Sequence, residues 1–593
     1  MRYLYLLFAL VLIPSIVFGF TNLGTDFYVC YPANACREPI GFPIPPASFF
    51  DGQLILTSTW ATTGYVRNAS GTFNVPFNIP PNSVTTVTID STHWIRESDV
   101  VVPKGLYVHS DNPISTYFLS YRTPGSTNDM ALIFPIPSLG TEYITMCWRD
   151  NIPAYNPLIT DRGPSMFTIV APFDDTHIEI TTTVPTEGGH AAGVPWNVTL
   201  DSYDCYQVLA NSPGAASLYD LSGSEITSDK PIAVVSGSQI AMVPDAIMAA
   251  DYLIEQMPPL PSWGQTFNVF PIQPRNDWHE DVLKIVASVD GTNISIEDAS
   301  GTTPVILNRG ETFEWNGQPC DPGSYLPLIG YAADCSGKLL DSPTRITSDQ
   351  PILVGQFLVG GVLTQGEPDW LTGSGDTPLG DPAFMVVPPE EQYSKRYIFM
   401  TPSGYTNDFL NVTIVSGHEG SIVLDGGPPT YSTAWFDLPS STLRGARIDL
   451  APGAHILEAD TTMLIQMYGY DDDWASYAAV AGQNLNPINA EYSVIKYCMH
   501  TPAMSGTWTS WRIVLIQNGG DPGHGIQFSD TLPSGFSYGS TPSIIELFGT
   551  ATRDSVLDPS PGDSILEWGW FSSSEDDSIV ITFTVDIEFG VEG

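Results

Sequence analysis

Residues 227–239, TSDKPIAVVSGSQ, decide the fold class, because the same pattern returns three more times along the chain. SDNPISTYFLSYR starts at Ser110, TSDQPILVGQFLVGG at Thr347 and EADTTMLIQMYGYDD at Glu458. The aspartates Asp111, Asp229, Asp349 and Asp460 stand 118, 120 and 111 residues apart (229−111, 349−229, 460−349). Self-similarity at a fixed period marks a repeat protein, and this period gives each copy room for a small domain. Pro113, Pro231 and Pro351 close the first three copies of the motif, whereas Thr462 stands in the fourth. Ser/Thr-Asp-x-Pro predicts a turn, because Asp bonds to nearby backbone and Pro fixes φ. The run Ile352-Leu353-Val354 that follows predicts a buried strand. The four aspartates therefore read as turn formers rather than ligands.

Other blocks recur in the same order around that motif. Upstream lie QLILTSTWATTGYV from Gln53, MFTIVAPFDDTHIEIT from Met166, VLKIVASVDGTNISIED from Val282 and FLNVTIVSGHEGSIVLDG from Phe409. The last three each predict two short strands around a polar turn, with Asp290-Gly291 the strongest hairpin signal. Earlier still come aromatic-rich alternating strands, matched most clearly at Gly24-Thr25-Asp26-Phe27 and Gly140-Thr141-Glu142-Tyr143. Helical periodicity is nearly absent, and only DAIMAADYLIE from Asp245 to Glu255 suggests a short helix. Met257-Pro258-Pro259-Leu260-Pro261 and Val387-Pro388-Pro389 read as stiff connectors. The expected fold is all-β, with tandem β-sandwich-like modules over residues 20–125, 126–240, 241–365 and 366–487 and an immunoglobulin-like module over 488–593.

The bulk composition agrees and excludes some functions. The chain has 593 residues, 42% of them hydrophobic, which is enough for packed cores. Its 52 Gly and 51 Pro supply the turns that short strands need. Against 65 Asp and Glu there are 21 Lys and Arg, a net charge of −44. That field repels phosphate backbones and anionic membrane surfaces, so nucleic acid is not an expected partner. Cations, basic proteins and neutral glycans are compatible with it.

The N-terminus predicts export. Arg2 precedes an apolar run from Leu4 to Phe18, and Val17-Phe18-Gly19 suits a cut after residue 19. No later segment reaches the roughly 20 continuous apolar residues of a membrane helix. Seven cysteines fit an oxidising compartment. Cys30 and Cys36 are close in sequence, as are Cys320 and Cys335, and Cys147 with Cys205 closes a longer loop, which leaves Cys498. Spacing does not fix connectivity.

In combination, SDKPIAVVSGSQ, DYLIEQMPPLPSWGQTFNVFP, VLKIVASVDGTNISI and TSDQPILVGQF followed by GDPAFMVVPPEEQYSKRYIFMTP resemble the N-terminal region of IgGFc-binding proteins. The resemblance covers about residues 130–480 and, more weakly, 21–130. It implies an extracellular β-rich binding or matrix module. The von Willebrand-type cysteine-rich region of the large animal proteins is not found here. Residues 511–539 and 564–588 resemble a different module, one of unknown function repeated in bacterial and archaeal envelope proteins. Its landmarks correspond to Asn518, the run Asp530-Thr531-Leu532-Pro533-Ser534-Gly535-Phe536 and the strand Ile579 to Ile587, and they imply a spacer sandwich.

Among catalytic signatures, HExxH, a P-loop and GxGxxG after a strand are absent. His177 and Glu179 share a strand face and read as exposed strand residues. Asp471, Asp472 and Asp473, Glu575-Asp576-Asp577 and the smaller Asp174-Asp175 are the Ca²⁺ candidates, since that ion takes six to eight oxygens, but none has EF-hand spacing, so they read as solvated loops and no cofactor is expected. Trp474 and Tyr477 beside the first cluster would suit glycan binding, although most aromatics are expected to fill sandwich cores. Asn68, Asn197, Asn293 and Asn411 open N-x-Ser/Thr sequons. The expectation is a secreted or cell-surface, non-enzymatic adhesion protein whose partner is an extracellular protein or glycan. The competing readings are a secreted carbohydrate hydrolase, with two carboxylates in a groove between modules, and a purely structural surface-layer protein.

Overall fold

Each copy of the repeated motif lies inside one long strand. These strands are Leu106–Arg122, Glu225–Met242, Thr344–Leu358 and Gly453–Asp471. The computed structural model describes residues 22–34, 50–122, 127–151, 163–211, 218–245, 250–273, 281–315, 340–360, 380–471, 475–483 and 485, followed by 491–498, 508–519, 523–532, 536–548, 551–553, 558–573 and 578–587. The chain is all-β and divides into two compact units, one spanning Thr21–Asn489 and the other containing Ala490–Gly593.

The Asp-x-Pro motif was expected to turn the chain into a strand. Instead it bulges a strand that continues through it. The pairing of Gly140–Ile144 with the second long strand jumps from Thr227 to Ile232, and the jump recurs at the same place in the other three copies. Four residues are thus extruded against one on the partner, which bends the strand sharply. Side chains hold the bend. Ser110, Ser228 and Ser348 each donate to the carbonyl two residues on, at 2.7–2.8 Å. Asp229 accepts the His177 amide and Asp349 the Asn293 amide, both at 2.8 Å. In the worn fourth copy Ala459 replaces the serine and Asp460 bonds His418 instead.

Because of the bend, each long strand has different partners on its two halves. Val108 pairs with Phe27 and Val66, while Ile55 and Leu132 pair with Tyr117. Strands that switch sheets at a bulge make the corners of a sandwich. The same strand order repeats in the first three modules, and the fourth keeps the centre of it while its edge strands differ; among the described residues the sheets have seven, eight, seven and seven strands. Each sheet closes one strand later than the boundaries drawn from sequence, since Met130–Ile133, Ala250–Gln256 and Ala383–Val387 pair with the long strand before them. The helix expected within 245–255 is a strand from Ala250 onward; it is buried on both faces, and its polar residues Asp251, Glu255 and Gln256 are buried with the rest, so no inside–outside alternation marks a strand period.

These last strands, with Ala475–Val480, pack against one another in a closed circuit at the centre of the first unit. Radial closure of this kind leaves few exposed sheet edges. Asp129 lies at the hub. Its carboxylate accepts the amides of Met130, Ile254, Phe384 and Ala478 at 2.9, 3.0, 3.2 and 3.4 Å, one from each module. One layer away, Glu255 accepts the Gln256 amide and Gln256 accepts that of Phe134. The Pro connectors are packed in place. Gly140 lies so close to Pro259 that a Cβ on it would stand 2.5 Å from the proline ring, and Gly24 meets Pro135 in the same way.

Scarce cations serve the inner seams. Lys284 of module 3 is fully buried against Asp220 and Glu314, and Arg149 of module 2 pairs with Asp245 and Glu314. Arg309 bridges to Glu142 and Glu225, and Arg447 donates to the Pro271 carbonyl. Burial works against the Glu314 carboxylate, but Lys284 and Arg149 outweigh it and lower its pKa to about 2.

The second unit holds a sheet of five strands and one of three. Its core contains Trp568, Phe571, Ile579, Ile581, Phe583 and Val585. This is the two-sheet arrangement expected of an immunoglobulin-like module.

Candidate functional site

The outer face of module 1 carries a platform of tyrosines, a histidine and an arginine. Three adjacent strands build it: Gly24–Val29, Leu106–Arg122 and Thr62–Asn68. Alternation puts residues two apart on one face, and register then aligns them in rows. Asp26, His109 and Tyr65 form one row; Tyr28, Tyr107 and Arg67 form the next. Tyr203 reaches over from module 2 to meet Tyr28 edge-on at 5.2 Å and accepts a hydrogen bond from Arg67 Nε at 3.1 Å. The Arg67 guanidinium also lies over the Tyr65 and Tyr107 rings, 5.2 and 5.4 Å from their centres. Tyr65 is half-buried and Arg67 is exposed, so the platform faces solvent.

Its charge state is set locally. Burial disfavours the Asp26 carboxylate, but hydrogen bonds from His109, Thr25 and Tyr107 outweigh it and hold its pKa below the ordinary value. The bond to Asp26, 2.9 Å from Nδ1, raises the pKa of His109. Burial, reinforced by Asp26, keeps the Tyr107 phenol protonated far into the alkaline range. At neutral pH the platform therefore offers aromatic faces, a guanidinium and an imidazole–carboxylate pair. Such groups stack on sugar faces or on flat side chains and hydrogen-bond at their rims.

The residues singled out from sequence are scattered elsewhere. Asp471 accepts the Thr406 hydroxyl at 2.7 Å, while Asp472, Asp473 and Trp474 lie outside the described residues, as does the Glu575-Asp576-Asp577 cluster. Tyr477 is core, fully buried with its hydroxyl donating to Asp408 at 2.6 Å. Cys30, Cys147 and Cys205 are buried free thiols. The Cys147 thiol donates to the Met166 carbonyl at 3.2 Å, and the Cys205 thiol donates to the Tyr203 carbonyl at 3.9 Å beside Cys30. Cys36, Cys320, Cys335 and residues 1–19, expected to be an export signal, lie outside the described residues, and so does the Cys498 side chain. His177 and Glu179 are exposed on one strand face. Of the sequon asparagines, Asn411 is buried and bonded to Arg447, whereas Asn197 and Asn293 are exposed.

The platform escaped the sequence reading, although Asp26-x-Tyr28, Tyr65-x-Arg67 and Tyr107-x-His109 each carried the signal of paired polar-aromatic residues at strand spacing. Only strand order shows that the three pairs adjoin.

The fold defines an all-β repeat protein. Residues 129–469 match the family described as IgGFc binding protein, and the chain belongs to that family. The human IgGFc-binding protein is 24% identical over 367 residues, a span covering 61% of this chain and 6% of the relative's length. A solved structure of Salmonella alpha-2-macroglobulin reacted with methylamine aligns with 98% of this chain and 45% of its own at 9% identity, and its TM-score of 0.14 carries no argument about fold. Among the described residues no helix is long and apolar enough to cross a membrane.

Proposed function

We propose that this chain is a secreted or cell-surface, non-enzymatic adhesion protein that binds an extracellular protein or glycan through the module 1 platform. The observation that carries the reading is the alignment of Asp26, Tyr28, Tyr65, Arg67, Tyr107 and His109 on one solvent-facing sheet, joined by Tyr203. Aromatic and arginine side chains held rigid by neighbours are what binding surfaces use for most of their affinity. The net charge of −44 steers the platform toward neutral or cationic ligands. Membership of a family named for binding supports the class, while the platform itself lies mostly before the matched region, so its ligand is this chain's own question.

The test is an array of glycans and extracellular proteins probed with the full chain, with and without Ca²⁺. Selective binding is expected, weakened at least about tenfold by the double variant Tyr65→Ala/Arg67→Ala. Binding that survives this change intact would remove the platform from the proposal. Ca²⁺ at Asp471, Asp472 and Asp473 belongs to the same proposal as a stabiliser of that loop, and coincident melting curves with and without the ion would dismiss it.

A further inference from the structure

We infer that Cys30 and Cys205 are joined by a disulfide when the chain folds in an oxidising environment, stapling the first strand of module 1 to module 2. The two cysteines are 175 residues apart in sequence (205−30), and nothing in their spacing suggests a pair. The fold lays their segments side by side. Tyr28 and Ser202 share a hydrogen bond at 2.8 Å on one side of them, and the Ala33 amide donates to Gln207 Oε1 at 2.8 Å on the other. Tyr28 also meets the Tyr203 ring, and the Gly105 amide binds the Tyr203 carbonyl next to the Val29–Leu106 pair. Between these bracketing contacts Cys205, whose thiol donates to the Tyr203 carbonyl at 3.9 Å, has Cys30 as its neighbour. Both residues are essentially unexposed, at 1% and 0%.

Cys147 supplies an internal contrast. It is equally buried, with its thiol donating to the Met166 carbonyl at 3.2 Å, but no second cysteine is set beside it among the described residues.

The chemistry balances with a disulfide oxidant such as oxidised glutathione. One cysteine thiolate attacks the glutathione disulfide, forming a mixed disulfide and releasing one glutathione thiolate. The second cysteine then displaces the other glutathione thiolate, and the Sγ–Sγ bond forms. Two electrons pass to the oxidant, and the two thiol protons end on the two reduced glutathiones. Burial, with Cys30 beside it, pushes the Cys205 thiol well above its ordinary pKa, so thiolate is scarce once the chain has folded. The bond is therefore made during folding and is shielded from reductants afterwards. Closing so long a loop removes much freedom from the unfolded chain.

The experiment compares the full chain secreted through an oxidising compartment with the same chain made in a reducing cytosol. Each is alkylated with N-ethylmaleimide in denaturant without reductant, digested and mapped by mass spectrometry. The secreted chain is expected to yield a cross-linked peptide pair containing Cys30 and Cys205 that disappears on reduction, with Cys147 alkylated. The cytosolic chain is expected to carry the label on all three. In a secreted Cys205→Ser variant, Cys30 should become alkylated. Label on both Cys30 and Cys205 in the secreted chain overturns the inference, and so does linkage of either to another cysteine such as Cys36. Should the variant fail to fold, the map of the unaltered chain decides the matter alone.

Discussion

His109 and Asp26 hold each other in their charged forms, and the sign of the effect follows from which way each group is shifted. The raised His109 contributes stability that is complete below its unfolded pKa of about 6.5 and is lost as pH rises through the higher folded value. The depressed Asp26 contributes stability present above about 3.9 and lost as pH falls through its folded value. In an NMR titration His109 should have its midpoint above about 6.5, and Asp26→Asn should lower it. An unmoved midpoint would show that Asp26 does not hold the imidazole. At the hub, Asp129→Ala leaves four buried amides without their acceptor. Each unpaired group costs about 1–3 kcal/mol, so a loss of about 4 kcal/mol or more is expected in chemical unfolding, far above the change for a typical surface substitution.

At the scale of elements, the decisive device is the bulge that lets one strand serve two sheets. Composition and propensity gave no warning of it, because the Asp-x-Pro signature is the same for a turn between strands and a bend within one. The repeated Gly–Pro contact is the second device. Gly140→Ala should cost about 1–3 kcal/mol, since a Cβ 2.5 Å from the Pro259 ring forces connector and strand apart. Gly420→Ala is the matched control: its site is open, so a change within about 0.5 kcal/mol is expected. Equal melting temperatures for the two variants would mean that the connector yields freely.

For the whole molecule, burial pushes the carboxyls of Asp129, Asp251 and Glu255 well above their ordinary values; beside Asp251, Asp381 adds to the effect. Groups raised in this way bind more protons folded than unfolded, so stability falls as pH climbs from the usual carboxylate range through their folded values. Relief of the repulsion among a net 44 negative charges acts in the same direction. The melting temperature should therefore be higher at about pH 5 than at about pH 8, and Asp251→Asn should flatten the difference. A chain that melts at the same temperature at both would contradict central burial of these acids. How the modules close into a circuit was not legible beforehand. The strands that meet at the centre are short, and the circuit neighbours of Ala383–Val387 are Ala250–Gln256 and Ala475–Val480, which belong to other modules.

By itself the sequence determined the all-β class, the fourfold repeat, the distinct last module, the acidic balance and the family resemblance. Each of these rests on local periodicity, spacing or composition, which the chain carries before it folds. Only the tertiary structure decided that Asp129 joins four modules, that Tyr477 is core, that Cys205 meets Cys30 rather than Cys147, and that three separate strands share one aromatic platform. The physical reason is that strand pairing is non-local. Alternation says which residues share a face of one strand, but it says nothing about which strand lies alongside, and that choice is made by burial of the whole unit at once.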